Sequence, residues 1–269
     1  MAHTAQERYS NLVLAKLRNE SIFVGLFNRR YEGTPTAGAV KIPVRDTEVA
    51  IGTYDKTTGG TLSTGTTTYK TLNIDKDKYV NELIDGFDSA SVPDNLVADR
   101  LDSAGYTMAD TLDTELISAA VTGGTALKST TALTPSTVYN AIVDAVQTAK
   151  AAKVKTSEMW LAVSNTLYGT IIKSPEFISA SSLGDEVKTG GFVGRIAGVA
   201  VYESANMPDG VEFVLGNNVF CHYVDEWLVP VSINDLKDGK HIGASAVQGR
   251  RVYGIMISRP TTVLVKKTA

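Results

Sequence analysis

Apolar residues return at steps of three and four along SVPDNLVADRLDSAGYTMADTLDTELISAAV, residues 91–121. Val97, Leu101, Ala104, Met108, Leu112, Leu116 and Ala119 form the stripe, while Asp99, Arg100, Asp102, Asp110, Asp113 and Glu115 fill the other face. That period predicts one amphipathic helix. Pro93 suits its first turn, where a missing N–H costs nothing, and Ser91 with Asp94 resembles a capping box. Gly123-Gly124 gives a stop. The helix is expected over 92–122, roughly 25–30 residues and about 40–45 Å at 1.5 Å per residue. It is too polar for a membrane span. Alone it reads as a bundle or core helix, but both its flanks are β-rich.

Period two takes over on the N-terminal side. In GTPTAGAVKIPVRDTEVAIGTYD, residues 33–55, Val40, Ile42 and Val44 alternate with Lys41, Pro43 and Arg45, which predicts a strand. Pro43 cannot donate to a ladder and puts that strand at an edge. A Thr/Gly-rich tip follows at 56–68, then a second extended stretch at 69–84 with Leu72 and Ile74 on one face. Together they predict a long hairpin. A two-stranded ribbon is marginal in water, so it needs a surface to lie on, and another copy of the chain is the most economical one. Ahead of it, residues 4–30 read as a short helical arm with Leu12, Leu14, Leu17, Ile22, Phe23, Leu26 and Phe27, closed by Arg29-Arg30. The arm docks either on its own domain or on a neighbouring subunit.

After the long helix, Thr134 as cap and Pro135 as first helical residue open a second helix. Val138, Ile142, Ala145, Val146, Ala149 and Ala152 line its face, and Lys150, Lys153 and Lys155 suit its C-terminal dipole. MWLAVS, 159–164, reads as a buried strand, NTLYGTIIKS as a short helix ending at Pro175, and 179–191 as a polar loop. Residues 190–210 read as turn, strand, turn, with Val199 and Val201 facing one way and Ala200 and Tyr202 the other. Strands are expected at 211–215, 218–224 and 226–234, the last at an edge because of Pro230, and then in VYGIMIS and TTVLVKK. Helices and strands interleave without a strict βαβ rhythm, which is the α+β pattern.

The 269 residues suffice for one large domain or two intimate ones. A net charge of −3 gives no general attraction to nucleic acid or anionic membrane. The single Cys221 excludes an internal disulfide. The N-terminus, MAHTAQERYSNLVLAKL, is amphipathic and carries Glu7 where a secretory signal has its apolar core. No apolar run reaches the length of a membrane span.

Candidate chemistry is sparse. His3, His222 and His241 do not cluster with Cys221 or carboxylates at zinc-ligand spacing; His222 and Cys221 read as a packed core pair. Asp75 and Asp77 begin like a calcium loop, but the later ligands and central Gly are missing, and with Lys76 and Lys78 they read as a solvated strand face. The stretch Gly191 to Gly198 lacks the Gly-Lys-Ser/Thr ending of a phosphate loop and precedes a strand. Gly243-Ala244-Ser245-Ala246 lacks the second Gly of a nucleophile elbow. Asp110, Asp113 and Glu115 read as a solvated helix face. Arg29-Arg30 and Arg250-Arg251 form no basic stripe with interleaved aromatics. The residues thus point to no catalytic, cofactor-binding or metal site, and to a protein that acts by shape rather than as an enzyme.

The order of parts, together with GRIAGVAVYESANMPDG at 194–210, SNTLYGTIIKSPEF before it and LDTELISAA at the end of the long helix, resembles the major capsid proteins of tailed bacteriophages with the Hong Kong 97 fold. The resemblance implies an N-terminal arm at 1–30, an extended β-hairpin loop at 31–75, a peripheral domain at 76–133 with a spine helix at 92–122, an axial domain at 134–225, and late strands at 226–269 returning to both domains. It implies a shell protein that self-assembles into pentamers and hexamers around double-stranded DNA, without sequence-specific binding and without a membrane. Portal protein and, since no scaffolding segment precedes the arm, a separate scaffolding protein are the implied partners; assembly without scaffold is the alternative. The implied location is the virion capsid, assembled in the bacterial host cytoplasm. Some relatives crosslink through Lys and Asn; nothing at Lys56 or Lys70 carries that chemistry over.

Encapsulin-type nanocompartment shells share the fold and a similar length, and are the alternative. An enzyme with an unfamiliar site requires a polar pocket with converging side chains. A tail-tube protein is β-dominated and lacks the long helix. The net charge suits a shell around motor-packed DNA, because a basic interior would bind the genome tightly.

Overall fold

The computed structural model describes residues 18, 21–30, 38–45, 48–62, 64–65, 67–86, 96–176, 194–237 and 239–268. The expectations for residues 4–17, for the start of the long helix at 91–95, for the polar loop at 179–191 and for Gly191 to Val193 lie outside them. In chain order the elements are α1 (Phe23–Leu26), β1 (Ala39–Arg45), β2 (Thr67–Asn73), β3 (Lys76–Ile84), α2 (Leu96–Gly123), β4 (Thr125–Ala126), α3 (Val138–Ala151), β5 (Met159–Ser164), α4 (Asn165–Ile172), β6 (Arg195–Ile196), β7 (Val199–Ser204), β8 (Val211–Asn217), β9 (Cys221–Asp235), β10 (Ser245–Ile257) and β11 (Leu264–Lys267).

The architecture is α+β, with a six-stranded sheet ordered β4-β11-β8-β5-β7-β6, a three-stranded sheet β3-β10-β9 and a separate ribbon β1-β2. β5 explains why MWLAVS shows no alternation. Leu161 and Val163 face α3 and α4, in a core with Ile142, Val146, Leu167 and Ile171. Trp160 and Ala162 point the other way, into a second core with Phe23, Leu112, Leu116 and Tyr223. A strand covered on both faces is apolar throughout.

α2 runs 28 residues and ends at Gly123, with Gly124 N–H returning to the Ala120 carbonyl at 2.9 Å. Its buried face comprises Ala104, Met108, Leu112, Leu116, Ile117 and Ala120. Asp113 belongs to that face too, fully buried, which corrects its assignment to the solvated side. It lies three, four and seven positions before Leu116, Ile117 and Ala120, so the helical period itself carries it inward.

α3 starts at Val138, not at Pro135. Residues 135–137 form a turn, closed when Thr137 N–H and Val138 N–H both donate to the Thr134 carbonyl at 3.0 Å. The extended stretch at 69–84 divides at 74–75, β2 joining the ribbon and β3 the three-stranded sheet. The strands expected at 218–224 and 226–234 are one 15-residue strand, β9, preceded by a turn in which Asn217 Oδ1 accepts Val219 N–H at 2.7 Å. Pro230 is accommodated because β9 is an edge strand and its pairing with β10 slips between Gln248 and Arg250. Between β6 and β7, Ala197 and Gly198 both have positive φ, 50° and 85°, the geometry of a tight two-residue hairpin. Ala197 and Gly198, at the end of that glycine stretch, serve as backbone turn.

The ribbon is tied to its own body along its paired length. Ile42 and Leu72 are buried against Val224, and Arg259 Nη2 donates to the Arg45 carbonyl at 2.6 Å. Gly254 in β10 permits the approach: a Cβ there would sit 2.2 Å from the Asn73 carbonyl oxygen.

Candidate assembly surfaces

The arm root is seated where both sheets and α2 meet. Phe23 and Phe27 lie 6.1 and 6.0 Å from Trp160, ring centre to ring centre. Asn28 extends the seat as backbone: its N–H donates to the Cys221 carbonyl at 2.8 Å and its carbonyl accepts Tyr223 N–H at 3.2 Å. The described arm residues 21–30 therefore dock on their own domain.

Charged groups stitch the same region. Arg29 and Arg251 both pair with the buried Asp225. Arg29 also stacks over Tyr223 at 5.4 Å and Arg251 over Trp227 at 5.0 Å. Lys76 and Lys78 reach back to α2 and pair with Glu115 at 2.8 and 2.9 Å. This corrects the reading of Lys76, Lys78 and Glu115 as solvated: β3 alternates, turning its even positions towards the helix. Burial pushes the Glu115 carboxyl up, but hydrogen bonds from Lys76, Lys78 and Tyr253 outweigh it and hold it below its ordinary value. Asp77, on the open face, pairs with Arg250 instead. Asp110 shares the Asn206 side-chain amide with Asp113.

His222 and Cys221 are a buried pair at the start of β9. Burial pushes the Cys221 thiol up to about 12, so it is not a reactive thiolate. His222 Nε2 lies 2.9 Å from Ser258 Oγ, and burial lowers its pKa from 6.5 to about 4. A depressed pKa in the folded state means stability that is complete above about pH 6.5 and lost as pH falls towards 4. The contribution is at most about 3 kcal/mol at 1.36 kcal/mol per unit. In His222→Gln, thermal melts between pH 6.5 and 4 are expected to show a shallower loss of Tm than the parent protein; parallel slopes would show that another group governs that limb.

Gly243 to Ala246 opens β10, where Ser245 Oγ donates to Asp235 Oδ1 at 3.0 Å. A cleft of about 540 Å³ lies between α3 and the 127–134 segment. Its one deep cation, Lys266, is already held by the Ser129 and Thr131 carbonyls, each at 2.7 Å. Among the described residues, no three His, Cys, Asp or Glu stand together as metal ligands, and no helix is long and apolar enough to cross a membrane.

What remains open is surface. Beyond its anchored root, the ribbon leads to a tip where Ile51 and Leu62 are 99% and 103% exposed, with Val49 and Tyr54 beside them. Asp55 closes the turn there, accepting Thr57 N–H at 2.6 Å and Thr58 N–H at 3.0 Å. On the three-stranded sheet, the face away from α2 carries an amide ladder in which Asn234 donates to Gln248 and Gln248 to Asn81. Tyr79, Leu83 and Val229 lie exposed around it. Local sequence pattern points to the ribbon but not to this face, whose two longest strands come from the C-terminal third.

A long helix laid across a three-stranded sheet, an anchored ribbon with a bare tip, and an arm locked between two sheets are the parts of a shell-forming subunit. The comparisons agree. A sequence model of the family described as phage capsid protein matches residues 82–265, more than half of the chain. This chain belongs to that family. It is a phage major capsid protein with the Hong Kong 97 fold, a structural subunit of an icosahedral virion shell, and the encapsulin alternative is not favoured. Among solved structures, that of Mycobacterium phage Che8 is similar at 21% identity with a TM-score of 0.82, covering 97% of this chain and 96% of the other. The capsid of cyanophage P-SCSP1u is similar at 16% identity with a TM-score of 0.83, covering 98% and 93%. The capsid of an empty GTA particle, computed with C5 symmetry, is similar at 14% identity with a TM-score of 0.72, covering 98% and 95%. No curated protein sequence matches this chain.

Proposed function

We propose that this chain forms pentamers and hexamers that close around double-stranded DNA, each ribbon reaching onto an adjacent subunit. The observation that carries the reading is the split character of the ribbon: Ile42 and Leu72 anchor its root, while Ile51 and Leu62 at its tip are bare. Exposed apolar groups concentrated on one projection mark a contact with another molecule. A projection from one face of a subunit onto a different face of the next is a heterologous contact, which makes rings when the rotation closes. The outer face of the three-stranded sheet, with Tyr79, Leu83 and Val229, supplies uncovered apolar surface of its own. Many such contacts hold a shell together without any one being tight.

In this reading the arm is 1–30, the extended loop 31–75, the peripheral domain 76–133, the axial domain 134–225, and the late strands 226–269, with β9 carrying the chain across the boundary at 225. The protein performs no catalysis. Portal and a separate scaffolding protein join it in the host cytoplasm, and the genome is enclosed without sequence-specific contact, in keeping with a net charge of −3. Negative-stain electron microscopy of the protein, alone and co-expressed with scaffold, tests this. Hollow shells with fivefold vertices are expected; a monomer or dimer persisting across concentrations in both settings would overturn it.

A further inference from the structure

No helix satisfies its own first N–H groups, and Ile22 before α1 supplies no side-chain cap. The cap comes from 90 positions away. Asp113 Oδ1 accepts the buried Phe23 N–H at 2.7 Å and the Ser21 hydroxyl at 3.0 Å. Its other oxygen accepts the Asn206 amide at 3.3 Å, and the same amide nitrogen donates to Asp110 Oδ1 at 2.9 Å. One carboxylate thus joins the arm, α2 and the turn after β7. About two and three turns towards the start of α2, Arg18 stacks over Tyr106 and pairs with Asp102, so the arm root follows the helix rather than touching it once.

We propose that Asp113 is the positioning residue of the arm: its Oδ1 fixes the chain at Ser21 and Phe23 so that the arm leaves the body in one direction and moves with α2 as one piece. The aromatic contacts of Phe23 and Phe27 with Trp160 supply adhesion without direction, since dispersion and hydrophobic burial are non-directional. Directional hydrogen bonds hold the chain at two points: the Asn28 backbone pairs with Cys221 and Tyr223 at one end of the seat, and Asp113 fixes the other at Ser21 and Phe23. Without the carboxylate, the Phe23 N–H is a buried donor with no acceptor, an arrangement folded chains avoid. The inference rests on the capsid reading only for its consequence, the presentation of the arm to neighbours.

Its test needs no assembly. Hydrogen exchange is followed on the unassembled protein at the amides of Phe23 and Val24, with the β5 amides as an internal reference. Asp113→Ala is expected to speed exchange at Phe23 by about tenfold or more relative to β5, whereas Asp113→Asn, which keeps an oxygen acceptor, restores most of the protection. Ser21→Ala, at an exposed position that the body does not depend on, is expected to speed exchange severalfold in the parent protein and to do so far less in the Asp113→Ala background. If Asp113→Ala does not fold, Ser21→Ala alone tests the contact: exchange at Phe23 is expected to rise severalfold relative to β5, and no change would overturn the assignment. Unchanged protection at Phe23 in Asp113→Ala, or additive effects of Ser21→Ala and Asp113→Ala, would overturn the assignment. Absence of shells from the parent protein, with Phe23 exchange still responding to Asp113→Ala as expected, would count against the capsid reading instead.

Discussion

Deleting residues 56–66 is expected to leave a folded subunit that no longer closes shells. The deleted stretch contains Leu62 and most of the tip turn, and it lies beyond the last rung of the ribbon, Arg45 opposite Thr67. None of the buried residues of the two main cores falls inside it. The body therefore loses almost no buried apolar area, and its thermal unfolding should move by no more than about 1 kcal/mol, the scale of surface changes away from packed features. Assembly faces a different arithmetic. Each subunit would lose one heterologous contact, and the loss repeats around every ring, so a modest deficit per contact multiplies over the shell. The measurement is a paired one, circular dichroism melting for the subunit and sedimentation with electron microscopy for shells. A deletion that melts far below the parent while the surviving protein still assembles would place the tip in the body and remove it from the interface.

Asp225→Ala is expected to be the most damaging single substitution among the charged positions. Its side chain is 4% exposed and lies between Arg29 and Arg251, and the Arg251 side chain is only 11% exposed. Removing one partner of a buried pair leaves the other charge uncompensated in a poor dielectric, which costs about 3–5 kcal/mol. In a chain of this size that lowers Tm by about 10 °C. Arg29 can turn to water, being half exposed; Arg251 cannot, because Trp227 covers its guanidinium. The paired replacement Asp225→Ala with Arg251→Met removes both charges and keeps the packing, and it should recover most of the loss. A cost below about 1 kcal/mol for Asp225→Ala would mean that water screens the pair as it does at a surface.

Local periodicity decided a good part of this protein by itself. The 3.6-residue stripe of α2, the alternation of Val40, Ile42 and Val44 in β1, and the unbroken apolar run of β5 each specify an element from neighbours in sequence. The edge positions of Pro43 and Pro230 follow from a missing N–H, which is also a local property. The order of these parts was enough to expose the family resemblance. Tertiary structure decided what local pattern cannot encode. The helical period carries Asp113 inward, but only the arm, 90 residues earlier, brings the backbone N–H that satisfies it there. Lys76 and Lys78 look solvated until β3 pairs with β10 and turns them onto Glu115. β9 is one strand rather than two because β10 pairs with it on both sides of Asp225, where the sequence pattern divided it, the register slipping only near Pro230. The division follows from range: periodicity acts between residues a few positions apart, whereas a buried charge is admitted only when a distant segment arrives to satisfy it.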